Sequence, residues 1–246
     1  MRLSSVFRRS LWLALPAVLA FSGCSDDTST PAPDQGKVTF INGASHIPGA
    51  TLKFQVDNAE KASLAYGASS TAQSIATGSR VIKVLSGTQT VLTQPAVTLD
   101  KDKNYTFVAT PAATPASVGG QFIIDDLTAP ATGKARIRVI NLGQNLTNPI
   151  KLSQVTSTAG GPVVVDLVTS IASNQASAFT DVNPGTYGLS ILDNNGVTKA
   201  EVGTGTGTGT GTKAYVAGKL YTIVVTGTAD SADPAQALKA YLSQNN

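Results

Sequence analysis

The chain has 246 residues, of which 41% are hydrophobic and only 6% aromatic, and its formal charge is +3. A single cysteine excludes an internal disulfide framework, and a single histidine argues against a histidine-rich metal site or a His-based triad. Three of the eighteen basic residues (Arg2, Arg8 and Arg9) stand at the very start, which leaves fifteen basic against fifteen acidic side chains; such a neutral body offers no electrostatic footprint for nucleic acid.

The chain opens with those arginines, continues with an apolar run from Leu11 to Phe21 that Pro16 interrupts, and closes the run with the small residues Ser22 and Gly23 before Cys24. The run is half of the ~20 residues a spanning helix needs, so a signal peptide over 1–23 is predicted in preference to a membrane helix. The pattern resembles a bacterial lipoprotein signal, with Phe21 standing where such signals prefer Leu. The resemblance implies that Cys24 is acylated on sulfur and becomes the new N-terminus. It also implies membrane lipid, palmitate included, as the first partner. Ser25 in the next position, where Asp would favour the inner membrane, implies the outer membrane. Residues 24–35 are small, polar and proline-containing and read as the lipidated cysteine plus a disordered tether.

From Gly36 onward the chain is rich in Val, Ile, Thr, Gly and Ala, which is strand-and-turn chemistry. Val38 and Phe40 alternate with Thr39 and Ile41, and Leu52, Phe54 and Val56 with Lys53, Gln55 and Asp57, the period of strands with one apolar face. Val81–Leu85 and Tyr105–Ala109 read as further strands. The order then repeats. Lys37–Asn42 is echoed by Arg136–Asn141, Thr77–Val84 by Pro184–Ile191, and Asp102–Val108 by Gly218–Val224, at spacings of 99, 107 and 116 residues. The expected fold is therefore all-β: two tandem Ig-like antiparallel β-sandwiches at 36–130 and 133–246, the second carrying insertions. Gly203–Thr212, five Gly-Thr pairs, reads as a mobile hairpin tip between Val197–Val202 and Ala214–Ala217. Two readings compete at the C-terminus: Asp233-Pro234-Ala235-Gln236 resembles a helix start, whereas the repeat asks for a last strand through Leu238–Leu242, and the strand is preferred.

Val38–Ser45, Ile47-Pro48, Leu52–Asp57, Tyr66-Gly67, Ala76-Thr77-Gly78 and Leu99–Thr106 together resemble the bacterial domain-of-unknown-function family 4397, and Arg136–Asn141 restarts the pattern. After Asn141 the second stretch departs, with Leu142–Val155 and a Gly160-Gly161-Pro162 turn in place of the proline loop and its following strand. The resemblance implies secreted or lipid-anchored Ig-like domains with no agreed activity.

Candidate sites are few. His46 beside Ser45 reads as a loop histidine. Asp100 with Asp102, and Asp125 with Asp126, could offer oxygen ligands to calcium but lack the spacing of a dedicated loop, and no metal or cofactor is expected. Asp193-Asn194-Asn195-Gly196 reads as a tight hairpin turn. Tyr66, Tyr187 and Tyr215 are the candidates for an exposed ligand-binding platform, with strand packing as their plainer reading. The function expected is a lipid-anchored, non-enzymatic envelope protein that works by display, adhesion or docking through strand edges and loop tips. Its partner is an envelope protein or a glycan, and the alternative is a glycan- or small-ligand-binding module.

Overall fold

The computed structural model describes residues 33–112, 117–147, 149–204 and 212–245. Among them every regular element is a β-strand and none is a helix. The leader over 1–23, Cys24 and most of the tether lie outside the described residues, as does 205–211 within the Gly-Thr run.

The first strands are β1 (Gln35–Asn42), β2 (Leu52–Val56), β3 (Ala59–Leu64), β4 (Gln73–Ala76), β5 (Gly78–Arg80), β6 (Ile82–Ser86), β7 (Gln89–Thr93), β8 (Val97–Leu99), β9 (Asn104–Thr110) and β10 (Gly119–Asp125). They form a sheet in the order β10-β9-β1-β4, a second in the order β3-β2-β6-β7, and a small β5-β8 pair. β1 runs parallel to β9; every other pairing in this set is antiparallel. The period-two pattern turns Phe40, Phe54 and Phe107 into one core between the sheets, their rings 5.3–6.2 Å apart. The β2–β3 turn is made by Asp57 and Asn58 at positive φ, the geometry a two-residue hairpin needs.

The tether ends earlier than the composition suggests. Gln35 pairs with Ala76, the Asp34 carbonyl accepts from Thr77 N, and the Asp34 carboxylate meets Lys101 at 2.8 Å. A short polar strand end facing water has the same composition as a tether, so only the pairing separates them.

The second set comprises β11 (Ala135–Asn141), β12 (Ile150–Thr158), β13 (Gly161–Ile171), β14 (Gln175–Ala176), β15 (Thr180–Val182), β16 (Gly185–Tyr187), β17 (Ser190–Leu192), β18 (Thr198–Thr204), β19 (Lys213–Tyr215), β20 (Leu220–Thr226) and β21 (Lys239–Gln244). The pairings follow the first set in sequence. β11 runs parallel to β20, β21 flanks β20, β14 and β15 flank β11, β16 pairs with β19, and β13-β12-β17-β18 matches β3-β2-β6-β7. One pairing is added: β18 also lies parallel to β21, joining the two layers into one curled nine-stranded sheet around Ile137, Leu152, Ile191, Val202 and Ile223.

Two details of the sequence reading change here. β18 pairs with β17 and β21 while β19 pairs with β16, so the Gly-Thr run joins strands of different sheets and is not the tip of a hairpin. The strand after Asn141 is also present and lengthened, as β12, instead of being replaced. At the C-terminus Asp233 caps a turn through Ala235 N at 2.9 Å, and β21 follows as a strand.

Several bonds recur in both sets. Asn42 Nδ2 donates to the Leu64 carbonyl and Asn141 Nδ2 to that of Ile171, each tying the end of the first strand to the end of the third. Ser70 Oγ accepts from Phe40 N, and Ser177 Oγ from Val139 N. Tyr105 Oη accepts from Asp100 N and Tyr221 Oη from Val216 N, both at 2.9 Å and both five residues upstream.

Pro33–Asn246 forms one compact unit, because the two sets also pack on each other. Ile41 and Val108 meet Ile140, Leu142 and Val224 in a third apolar cluster. Thr226 Oγ1 donates across this seam to the Gly43 carbonyl at 2.7 Å. The central strands β11 and β20 are consequently buried on both faces.

Candidate functional site

The side chains singled out from sequence are mostly occupied in packing. Tyr215 is 1% exposed inside the second core, stacked on Tyr187 with ring centroids 4.7 Å apart and edge-on to Tyr221. Tyr187 is half-buried and its hydroxyl donates to the Asn183 carbonyl. Tyr66 sits at the seam, edge-on to Tyr241 at 5.7 Å, with the Lys239 ammonium over its ring. Burial pushes the phenols of Tyr66, Tyr215 and Tyr241 above their usual range. Tyr187 and Tyr215 stack on each other in the second set while Tyr66 lies at the seam, so the three build no common platform, and the Tyr215 ring offers solvent no face. His46 Nε2 donates to the Ser117 carbonyl at 2.8 Å, a bond that fastens a loop.

The fold brings together what the sequence kept apart at one point. Asp100, Asp102, Asp125 and Asp126 share a groove of about 640 Å³ with Tyr105 and the 72% exposed Ile124. Two of the carboxylates are already engaged, however. Asp125 meets Arg138 at 2.7 Å and accepts from Thr106, while Asp126 accepts from Thr128 and Arg136. Among the described residues no group of three or more His, Cys, Asp or Glu is placed to hold a metal ion.

The exposed feature with the clearest shape is the β12–β13 hairpin. Lys151, Leu152 and Ser153 of β12 are flanked by β17, but Gln154–Thr158 pair with β13 alone, over five residue pairs. At about 3.3 Å per residue this two-stranded ribbon reaches roughly 15 Å beyond its sheet. The equivalent hairpin in the first set ends at Asp57-Asn58, directly after Val56. Val163, Val164 and Val165 on the ribbon are 50%, 47% and 51% exposed, and β13 is the outermost strand of its sheet, with a free backbone edge. The other outer strands are shorter or guarded: β3 carries Glu60 and Lys61, and β7 runs out at Pro95. The ribbon's base is held by Asp166, which accepts from Ser153 at 2.6 Å and from Lys151 at 3.1 Å. The sequence reading saw the Gly160-Gly161-Pro162 turn but not the projection, because strand composition does not reveal where a neighbouring strand stops.

The family described as "Domain of unknown function (DUF4397)" matches residues 46–148, and this match supports the resemblance drawn from the first strand set. It begins after β1 and ends just past β11. No curated protein matches the chain. Among solved structures, one described as a "putative cell adhesion protein" from Bacteroides uniformis shares 13% identity at a TM-score of 0.28, covering 87% of this chain and 98% of its own. A likeness that loose carries no inference about this chain. Among the described residues no helix is long and apolar enough to cross a membrane.

Proposed function

We propose that this chain is a lipid-anchored envelope protein that works by contact: two copies of one Ig-like sandwich, carried on Cys24 and a short tether, present the β12–β13 ribbon to a protein partner. The duplicate reading is supported by the matching strand pairings of the two sets and by the paired Asn42/Asn141 and Tyr105/Tyr221 bonds. A tyrosine hydroxyl bonded back to the backbone just upstream is a feature of Ig-type sandwiches. The ribbon carries the functional reading. A free strand edge suits main-chain pairing with an extended segment of another envelope protein, with half-exposed Val163 and Val165 adding apolar contact on one face and Val164 on the other. No enzymatic step belongs to this reading. The anchor places the protein at the envelope, with the outer membrane favoured by Ser25.

The test has two arms. Cells fed radiolabelled palmitate should label the wild-type chain but not Cys24→Ala, and the variant should leave the envelope fraction; an unlabelled wild-type chain rejects the anchor. Purified wild-type body should be retained on intact cells of the source strain, and a chain whose 155–164 segment is replaced by Asp-Gly should not. Equal retention of the two rejects the ribbon.

A further inference from the structure

The seam between the two strand sets is built from equivalent positions on its two sides. The registers equate Thr106 with Thr222, Asp125 with Asn245, and Thr39 with Arg138. Thr106 donates to Asp125 and Thr222 donates to Asn245, each at 2.7 Å. At one end of the seam Ser69 meets Ser243 at 3.0 Å; their counterparts at the other end, Ala176 and Ile123, both pack on the seam cluster. Ile41 and Val108 answer Ile140 and Val224. This is the arrangement of an isologous interface, the same patch used on both partners about an approximate two-fold.

A self-complementary patch has a hazard: the first half of one chain fits the first half of another. Several positions differ between the two sides, and two of the differences are charged. Arg138 stands where the first half has Thr39, and Asp125 where the second has Asn245. Arg138, on β11, reaches across the seam to Asp125 with Nη1 at 2.7 Å and to Thr106 with Nη2 at 3.0 Å, while its Nε bonds Thr222 at 2.9 Å and its guanidinium lies 4.7 Å over Phe179. Both charged side chains are 3% exposed. A pairing of two first halves would bury two Asp125 carboxylates with no cation between them. A pairing of two second halves would bury two guanidiniums against the Asn245 amides. Only first with second joins the charges, and an uncompensated buried charge is strongly unfavourable.

We infer that the Arg138–Asp125 pair is the specificity element of this seam: it directs the first half onto the second half of the same chain and bars self-association through the same face of another copy. The inference rests on the two-copy reading and is independent of the anchor and the ribbon. It is tested on the Pro33–Asn246 body with a protease site inserted between Pro130 and Gly133, cut, left to exchange at micromolar concentration, and weighed by native mass spectrometry. The cut wild-type protein should show only first–second complexes. The variant Asp125→Asn/Arg138→Thr, in which each position copies its counterpart, should form first–first and second–second pairs that the cut wild-type protein does not, short of the half that a complete loss of discrimination gives, because Gly43 against Leu142 still favours the unlike pair. Like pairs in the cut wild-type protein overturn the role of the ion pair and leave the duplicate reading standing. A folded double variant that still forms only first–second complexes overturns the equivalence of the two faces, and the inference with it. Wild-type fragments that separate after cutting overturn it as well. Should the double variant unfold, the exchanged pair Asp125→Arg/Arg138→Asp serves in its place. It should form only first–second complexes, while each single exchange loses them; single exchanges that pair as well as wild type count against the inference.

Discussion

At the scale of single residues, the side chains that matter most are those with no freedom to be replaced alone. Arg138→Met leaves Asp125 buried without its cation and should cost about 3–5 kcal/mol in urea unfolding, while adding Asp125→Leu should recover much of that loss, because the desolvation of both charges disappears together. Gly43 faces the seam so closely that a Cβ would stand 2.8 Å from Leu142 Cδ1 and 3.0 Å from the Ala109 carbonyl. Its counterpart in the second half is Leu142 itself, so the missing side chain on one side makes room for the large one on the other. Asn42→Ala and Asn141→Ala should each cost about 1–3 kcal/mol, since each strands a buried carbonyl at the end of a strand. The acid limit is also set by single groups. The Val81 N–H holds the Asp57 carboxyl below its ordinary 3.8, the Ser153 hydroxyl does the same for Asp166, and Thr128 for Asp126. Groups with depressed values contribute stability that is present above the ordinary value and lost as pH falls through the folded one. The urea midpoint should therefore hold near pH 5 and drop below pH 3.8, and Asp57→Asn should shallow that drop.

Among the elements, the tyrosine bonds and the ribbon make opposite predictions. Tyr105→Phe and Tyr221→Phe each remove one hydroxyl that accepts from a backbone N–H, and each should cost about 0.5–1.5 kcal/mol with no change of fold by circular dichroism. The β12–β13 ribbon beyond Ser153 pairs with no third strand, so removing it should leave the thermal midpoint nearly unchanged while removing cell retention. The joining of the two layers in the second half has a local cause as well. Val202-Gly203-Thr204 continues into parallel pairing with Ala240-Tyr241-Leu242, whereas β7 ends before Pro95, which has no N–H to give such a ladder.

Over the whole body, the apolar seam packs the two halves into one compact unit, and they should unfold together. Calorimetry of Pro33–Asn246 should show a single transition whose calorimetric and van't Hoff enthalpies agree, and Ile140→Asp, which puts a charge into the seam cluster, should split it in two. A single transition in the variant would show that the halves do not depend on this contact. The cluster matters because it covers faces of β1, β9, β11 and β20 that would otherwise be left apolar in water.

What the sequence determined by itself is local or periodic. Period two placed Phe40, Phe54 and Phe107 in a core, Asn-Gly at 195–196 placed a turn, and self-similarity announced the second set before any pairing was known. The seam was half visible: Ile41, Val108, Ile140 and Val224 are apolar at positions where a strand wetted on one face should be polar. Which surface covers them was not, because burial of a strand's second face depends on a partner a hundred residues away. The same holds for Asp125 and Arg138, which in sequence are two ordinary charges of opposite sign and become a buried pair only when the faces meet. Tertiary structure decided those contacts and the reach of the ribbon, since both turn on where neighbouring strands lie and where they end, and chain order carries no such distances.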